Sequence, residues 1–93
     1  MIRHIVMWKF KEGQEENVRR FLEELRALQG VIPQLKASEV AVNIGPGNYD
    51  AVLLSEFASM EELQAYKQDP RHVAVSNLCK SIRLDRVAVD YEF

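Results

Sequence analysis

The sequence has 93 residues, enough for one domain, and a chain this short buries only about 60–70% of its unfolded surface. Hydrophobic residues make up 47% and charged residues 28%, an ordinary globular balance; the net charge is −2, and no cluster of Lys and Arg indicates nucleic-acid binding. We expect neither a membrane span nor a signal peptide, because every apolar stretch is short or interrupted by charges.

The first predicted element is a β-strand from Ile2 to Phe10, because its side chains alternate in character with a period of two. One face of this strand carries apolar side chains and a histidine: Ile2, His4, Val6, Trp8 and Phe10. The other face carries Arg3, Ile5, Met7 and Lys9.

A helix is predicted next, from about Glu15 to Gln29. Its apolar residues recur at helical spacing and form one stripe: Val18, Phe21, Leu22, Leu25 and Leu28. We expect Gly30 to end this helix and Pro33 to prevent it from continuing.

Two further strands are predicted around a tight turn at Gly45-Pro46-Gly47-Asn48. The second strand runs from Ser38 to Ile44 and has one apolar face: Val40, Val42 and Ile44. The third strand runs from Tyr49 or Asp50 to Phe57 and is almost entirely apolar.

Two short helices follow. Ser59 and Glu62 have the spacing of a capping box that opens the second helix. Its predicted inner face consists of Met60, Leu63 and Tyr66. Asp69 as N-cap and Pro70 at the first helical position open the third helix, which runs to about Ser81. Its partly apolar side is predicted from Val73, Leu78 and Ile82.

The last predicted strand runs from Leu84 to Phe93. Its two faces alternate, with Val87, Val89, Tyr91 and Phe93 opposite Arg86, Ala88, Asp90 and Glu92. The order β-α-β-β-α-β is typical of the ferredoxin-like plan, an α+β fold. Right-handed connections then give an antiparallel four-stranded sheet in the order 4-1-3-2, with all helices on one face.

The predicted sheet is apolar on both faces, whereas the helices can cover only one. The uncovered face holds seven apolar side chains: Ile5, Met7, Val52, Leu54, Val87, Val89 and Tyr91. Such side chains are each worth roughly 1.5–3 kcal/mol when buried, and small monomers rarely expose so many together. We therefore expect a homodimer in which the same face of a second copy covers them. A register error of one residue would exchange the two faces.

Four polar side chains are candidates for chemistry. The first and last strands are antiparallel neighbours, so His4 and Asp90 should meet on the helical side, where a carboxylate orients an imidazole and raises its pKa. Tyr66 and His72 flank the Asp69-Pro70 break, which we expect to aim both side chains inward. Such a group suits acid–base catalysis beside a carbonyl and requires neither a metal nor a cofactor.

Each candidate also has a purely structural interpretation. A histidine on an apolar strand face is more often a core residue than a catalyst, and Tyr66 could be a half-buried core aromatic. Asp90 could simply form an ion pair with His4 or Arg3, and His72 could be a surface residue of a first helical turn. The two histidines and the single cysteine, Cys79, are too scattered for a zinc site, and one free cysteine is typical of a cytoplasmic protein.

Short motifs along the whole chain give a resemblance to a known family. In chain order they are Arg3-His4-Ile5-Val6, Lys9-Phe10, Ile32-Pro33, Tyr49-Asp50, Ser55-Glu56-Phe57, Leu63-Gln64-Ala65-Tyr66, Pro70-Arg71-His72-Val73 and Asp90-Tyr91. Together they resemble the stress-responsive dimeric α/β-barrel (Dabb) family. The resemblance implies one domain over residues 1–93, with a ferredoxin-like subunit whose sheet packs against that of its partner.

The resemblance also implies roles for the site residues. One plant member of the family cyclises a linear polyketide by an aldol reaction without a cofactor, and its pocket residues match His4, Tyr66, His72 and Asp90. By this likeness His72 is the base, Tyr66 stabilises the oxyanion, and the other two support them. The implied ligand-binding residues are Val6, Trp8, Phe21, Leu53, Val73 and Ala88. Some plant members also hold magnesium through main-chain carbonyls of the loop that is Val31 to Ala37 here.

Three functions stay open on this basis. The first, which we favour, is a cytosolic dimeric module that binds a small hydrophobic or carbonyl-containing ligand in a stress response. The second is a cofactor-free cyclase, isomerase or lyase that uses the His/Tyr pair on a polyketide-like substrate. The third is a cofactor-free monooxygenase, an analogy that rests on architecture alone.

Overall fold

A computed structural model describes residues 1–93 and contains four strands and three helices. In chain order they are β1 (Ile2–Phe10), α1 (Glu15–Arg26), β2 (Ala37–Val42), β3 (Ala51–Phe57), α2 (Met60–Gln68), α3 (Pro70–Ile82) and β4 (Arg83–Glu92). The strands form one antiparallel sheet in the order β2-β3-β1-β4, which confirms the predicted ferredoxin-like α+β plan. None of the three helices has the length and apolar character that crossing a bilayer requires.

β1 lies between β3 and β4, and its alternating side chains separate the two faces of the sheet. Five of its side chains are buried, as the alternation predicts: Ile2, His4, Val6, Trp8 and Phe10. They pack against the apolar stripe of α1, where the Phe21 ring meets the Trp8 ring edge to face with 5.2 Å between centroids. The core therefore lies between the sheet and the helices.

α1 begins at Glu15, as predicted, with two glutamates in the first turn, where the helix dipole favours negative charge. It ends at Arg26, earlier than predicted, because the chain then continues in turns, although Leu28 is still buried. Gly30 has a φ of +84°, which glycine adopts without the strain that a side chain would cause. The prediction that Gly30 ends the helix is therefore wrong, since Gly30 lies four residues beyond Arg26, in the turns that follow.

Both predicted helix caps are present. The Ser59 hydroxyl accepts a hydrogen bond from the backbone N–H of Glu62 at 3.2 Å. The reciprocal bond of a capping box is missing, since Oε2 of Glu62 is buried without a partner. Asp69 caps α3 by accepting from the N–H of Arg71 at 2.8 Å, and Pro70 is the first helical residue.

Four apolar residues that the periodicity placed on the apolar faces of their elements are exposed instead: Val42, Ile44, Met60 and Val73. Val42 is the last residue of β2, an edge strand, and Ile44 lies two residues beyond it, outside the sheet. Met60 is 41% exposed because it is the first residue of α2, whose buried face begins at Leu63. Val73 is 41% exposed because α3 buries a different stripe, formed by Val75, Cys79 and Ile82.

β4 contains an irregularity that simple alternation did not predict. Lys9 of β1 pairs with Asp85, but the next residue, Phe10, pairs with Arg83, so Leu84 is an extra residue in β4. A bulge of this kind rotates the strand and redirects side chains. Leu84 accordingly is 61% exposed, whereas Arg83 turns towards the helical side of the sheet.

The opposite face of the sheet carries the seven apolar residues that the sequence placed there. The strand register arranges six of them in two rows, Leu54-Ile5-Val89 and Val52-Met7-Val87. We call these six residues together with Tyr91 the outer apolar face. Val89 is 54% exposed, and none of the seven is fully buried within one subunit.

Candidate functional site

A cavity of about 320 Å³ opens between the sheet and the helices, a size that suits a small molecule. Its apolar wall is formed by Val6, Trp8, Phe21, Leu25, Leu53, Val75 and Cys79. These side chains come from β1 and β3 on one side and from α1 and α3 on the other. The two histidines of the sequence, His4 and His72, line the same cavity.

His4 of β1 lies opposite Asp90 of β4, and its Nδ1 is 2.5 Å from the Asp90 carboxylate. Because a carboxylate only accepts hydrogen bonds, Nδ1 donates and Nε2 keeps its lone pair. We expected the carboxylate to raise the pKa of His4. Burial instead lowers this pKa below its ordinary value, and the hydrogen bond to Asp90 offsets only part of that effect.

His72 lies in the first turn of α3, with Nδ1 3.2 Å from the main-chain oxygen of Lys67. A carbonyl oxygen also only accepts, so Nδ1 of His72 donates and Nε2 again keeps its lone pair. Burial lowers the pKa of His72 as well. At neutral pH both histidines are therefore neutral imidazoles with a basic nitrogen that is free of these hydrogen bonds.

Tyr66 lies beside His72, with 4.4 Å between the ring centroids and 46° between the ring planes. Its hydroxyl is buried and has no hydrogen-bond partner. Burial raises the pKa of Tyr66 to about 12, so the phenol stays protonated and can act only as a hydrogen-bond donor or acceptor. The Asp69-Pro70 break brings Tyr66 and His72 together, but neither Tyr66 nor Asp90 lines the cavity.

Sequence comparison identifies the family. The profile of the stress responsive A/B barrel domain family (Dabb) matches residues 2–93 of the chain. This chain is a Dabb domain. The resemblance found in the motifs is thereby confirmed.

Relatives of this Dabb domain agree in fold and length. An uncharacterized protein of Streptomyces coelicolor is 36% identical, with all of both chains covered. A dimeric ferredoxin-like protein of unknown function from Bacteroides fragilis is 32% identical and superposes with a TM-score of 0.88 over 99% of this chain and 95% of that one. Hydroxynitrile lyase from Passiflora edulis has a TM-score of 0.86 over 97% and 90% of the two chains, but at 18% identity this likeness shows the fold alone.

The lining of the cavity differs in part from the ligand-binding set that the resemblance implied. Four of those residues line the cavity of this Dabb domain: Val6, Trp8, Phe21 and Leu53. Val73 does not, because it is exposed on α3. Ala88 does not line it either, although it lies on β4, the strand that contributes Arg83 and Arg86 to the cavity. Roles in ligand binding or catalysis stay predictions for all of these residues.

Polar residues that the sequence analysis did not single out also line the cavity: Lys67, Ser76, Lys80, Arg83 and Arg86. For some of them the sequence contains a pattern that could have predicted a position near the cavity. Ser76 and Lys80 each follow directly after a residue of the buried stripe of α3, and Arg86 shares a strand face with Asp90. No such pattern exists for Arg83, because the bulge in β4 turns its side chain to the face opposite to the one that alternation predicts.

In the loop from Val31 to Ala37, two main-chain carbonyls accept hydrogen bonds from basic side chains. The Val31 carbonyl already accepts from the Arg71 guanidinium at 3.1 Å, and the Pro33 carbonyl accepts from the Lys36 ammonium at 3.4 Å. A cation at these two oxygens would compete with both side chains, and a cation site in this loop stays a prediction. Nowhere in this Dabb domain do three or more His, Cys, Asp or Glu side chains come together to form a side-chain metal site.

Proposed function

We propose that this Dabb domain is a homodimeric module that binds a small apolar, carbonyl-containing ligand in the cavity of each subunit. The observation that carries the proposal is the composition of the cavity, which combines an aromatic and aliphatic wall with two neutral histidines and several hydrogen-bond donors. Apolar walls with a few oriented polar groups are typical of small-molecule sites. We place the protein in the cytoplasm, where a single free cysteine such as Cys79 is usual.

The outer apolar face supports the dimer. Its seven side chains form a contiguous surface on the side of the sheet that faces away from the cavity, so a second copy could cover it without closing either cavity. Two-fold contacts of one face with itself are the commonest form of homo-oligomer. The Bacteroides fragilis relative and two further structural neighbours are described as dimeric.

Trp8 provides a direct test of ligand binding, because it is the only tryptophan and lines the cavity. We expect 5-phenylpentan-2-one, a neutral aromatic ketone, to change Trp8 fluorescence saturably and to raise the thermal unfolding temperature. Val75→Phe, which fills the cavity, should abolish both effects. The control is Val73→Phe on the exposed side of the same helix, which should leave both intact. Equal binding by Val75→Phe and the wild type would locate the ligand elsewhere.

A second function, cofactor-free acid–base catalysis, is favoured by the hydrogen bonds of the two histidines. Nδ1 of His4 donates a hydrogen bond to Asp90, and Nδ1 of His72 donates one to the Lys67 carbonyl. The Nε2 atom of each histidine is therefore left to act as a base. In this reaction Nε2 of His72 removes a proton from the carbon beside the ligand carbonyl. The electron pair moves into the enolate, whose oxygen the Lys67 ammonium at the cavity wall would stabilise, since Tyr66 does not line the cavity.

Proton exchange in heavy water tests this chemistry without knowledge of the natural substrate. A base in the cavity would replace hydrogens beside the carbonyl of 5-phenylpentan-2-one with deuterium, which NMR detects. We expect His72→Gln to abolish the enzyme-dependent exchange while Trp8 fluorescence still reports binding. Exchange at the wild-type rate in that variant would remove His72 as the base and leave the binding function in place.

A further inference from the structure

The cavity has a strongly unbalanced charge. Four of its lining residues are cationic: Lys67, Lys80, Arg83 and Arg86. No lining residue is acidic, although the whole chain carries a net charge of −2. The positive charge is therefore concentrated at this one site and does not follow from the overall composition.

None of the four cations is neutralised by a carboxylate. The ion pairs of the structure involve other basic side chains, those of Arg3, His4, Arg19, Arg20 and Arg71. Two acidic residues of β4, the strand that carries Arg83 and Arg86, are engaged elsewhere. Asp90 binds His4, and Asp85 accepts a hydrogen bond from the Tyr49 hydroxyl at 2.7 Å. Unpaired cations gathered around a partly buried site repel one another and favour an anion.

Separate parts of the chain bring these cations together. Lys67 comes from the end of α2 and Lys80 from the end of α3, whereas Arg83 and Arg86 come from β4. Regular alternation along β4 would have turned Arg83 away from Arg86, and the bulge at Leu84 brings both to the cavity. Lys67 and Arg86 also contribute to the lowered pKa values of both histidines, so their positive charge acts at the polar end of the cavity.

We propose that the ligand of this cavity is a small organic carboxylate, whose apolar body packs against Trp8, Phe21 and Leu53 and whose carboxylate binds between the lysine and arginine side chains. The inference rests on the proposed binding function and adds the charge of the ligand to it. An arginine side chain can hold a carboxylate through two parallel hydrogen bonds, which gives orientation as well as affinity.

Three compounds of nearly the same shape test the charge. They are 4-phenylbutanoate, 4-phenylbutanamide and 5-phenylpentan-2-one, titrated against the wild-type protein by Trp8 fluorescence and by calorimetry. We expect the carboxylate to bind at least about tenfold more tightly than the amide, because charge-assisted hydrogen bonds are roughly twice as strong as neutral ones. Added salt should weaken binding of the carboxylate much more than binding of the amide.

Two variants identify the groups that recognise the charge. Arg86→Gln and Arg83→Gln should each weaken carboxylate binding about tenfold and leave amide binding unchanged. Arg86 is exposed on β4, so its replacement keeps the test valid even if Arg83→Gln unfolds. The matched control is Arg26→Gln, which makes the same change of charge outside the cavity and should bind all three compounds like the wild type.

The outcomes separate this inference from the proposed function. If the amide and the ketone bind as tightly as the carboxylate, the cavity binds ligands but does not select an anion, and the inference is overturned alone. If Arg26→Gln weakens carboxylate binding as much as Arg86→Gln does, the preference comes from the net charge of the protein, and the assignment of the carboxylate to this cavity is wrong. If none of the three compounds changes Trp8 fluorescence, the proposed binding function itself fails.

Discussion

Tyr66 and Glu62 are the two residues with a buried side-chain oxygen that has no hydrogen-bond partner. The Tyr66 ring packs against Phe57 at 5.0 Å and against His72 at 4.4 Å between centroids, so the ring itself is well placed. Burying a hydroxyl without a hydrogen-bond partner destabilises the folded state by about 1–3 kcal/mol, because the group loses its bonds to water. Phenylalanine could make the same ring contacts without burying an unpaired hydroxyl.

Tyr66→Phe should therefore keep or increase stability, by up to about 1 kcal/mol, because it removes an unpaired buried hydroxyl. Urea unfolding at fixed protein concentration measures the change. Tyr49→Phe is the comparison, because it deletes a hydroxyl that is bonded to Asp85 on the surface and should slightly destabilise the protein. A clear loss of stability in Tyr66→Phe would mean that the hydroxyl has a partner in solution.

The two histidines make the stability depend on pH. Burial lowers the pKa of both below the ordinary value of 6.5, so the unfolded chain binds more protons than the folded chain as the pH falls. Their contribution is complete above pH 6.5 and is lost as the pH falls towards the folded pKa values. Between about pH 7.5 and 5.5 we expect a slope of at most about 1.4 kcal/mol per pH unit for each histidine.

The variant with both His4→Gln and His72→Gln isolates this dependence, since the chain has no other histidine. Its urea midpoint should change much less between about pH 7.5 and 5.5, a range in which Asp and Glu side chains are already ionised. A wild-type protein that becomes more stable on acidification would show that the histidines are charged in the fold.

At the scale of the elements, the junction between α2 and α3 determines where His72 lies. Asp69 alone separates the two helices, and its extended backbone, with ψ of 130°, changes the chain direction. Its N–H donates to the Tyr66 carbonyl at 3.2 Å, and its carboxylate binds both the backbone and the guanidinium of Arg71. The hydrogen bonds from Arg71 lower the pKa of Asp69 to about 2, so the cap stays charged.

Replacing the two helix caps separately should have different consequences. Ser59→Ala removes the cap of α2 and should cost about 1 kcal/mol without altering the cavity. Asp69→Ala removes the cap of α3 and the link to Arg71, so it should also disturb His72 and weaken the binding of 5-phenylpentan-2-one. Urea unfolding and Trp8 fluorescence measure the two effects. Unchanged binding in Asp69→Ala would show that the junction is held by other contacts.

Local patterns were sufficient to predict most of the elements. The alternation of β1 predicted its buried face, and Asp69-Pro70 predicted the start of α3, because both depend on adjacent residues alone. The prediction of the inner side of α3 was wrong at Val73, since this helix has apolar residues on more than one side. Only packing against α1 and the sheet selects Val75, Cys79 and Ile82 as the buried stripe.

The candidate site was only partly predictable for a similar reason. The contact of His4 with Asp90 follows from the strand order, and the closeness of Tyr66 and His72 follows from the break between two helices. The positive lining depends on the bulge in β4 and on how the ends of α2 and α3 lie over the sheet. Sequence periodicity predicts neither the bulge nor the placement of the helix ends. It assumes regular elements and gives no information on their relative positions.

At the scale of the whole molecule, the two faces of the sheet are separate in character. The helical side holds the cavity and its charged groups, whereas the outer apolar face holds two rows of aliphatic side chains. At one end Arg3 borders this face, paired with Glu56 at 2.8 Å and stacked on Phe93 at 3.9 Å from the ring centroid. Apolar residues surrounded by such polar groups are typical of protein interfaces.

Val89→Asp tests the dimer, because it places a charge in the middle of the outer apolar face. We expect the variant to dissociate into monomers or to unfold, since a buried unpaired carboxylate is strongly unfavourable. Light scattering in dilute solution gives the mass. Val73→Asp introduces the same charge at an exposed position on the helical side and should stay dimeric. A folded Val89→Asp dimer would contradict the assignment of this face.

The extra residue in β4 also has a consequence for evolution within the family. Leu84 adds to the length of the strand without adding a pair to the sheet, because Lys9 pairs with Asp85 and Phe10 with Arg83 on either side of it. A homologue that lacks this residue could therefore keep every other strand pair and still direct its equivalent of Arg83 to the same side. Alignments should tolerate a gap at this position more readily than elsewhere in the strand.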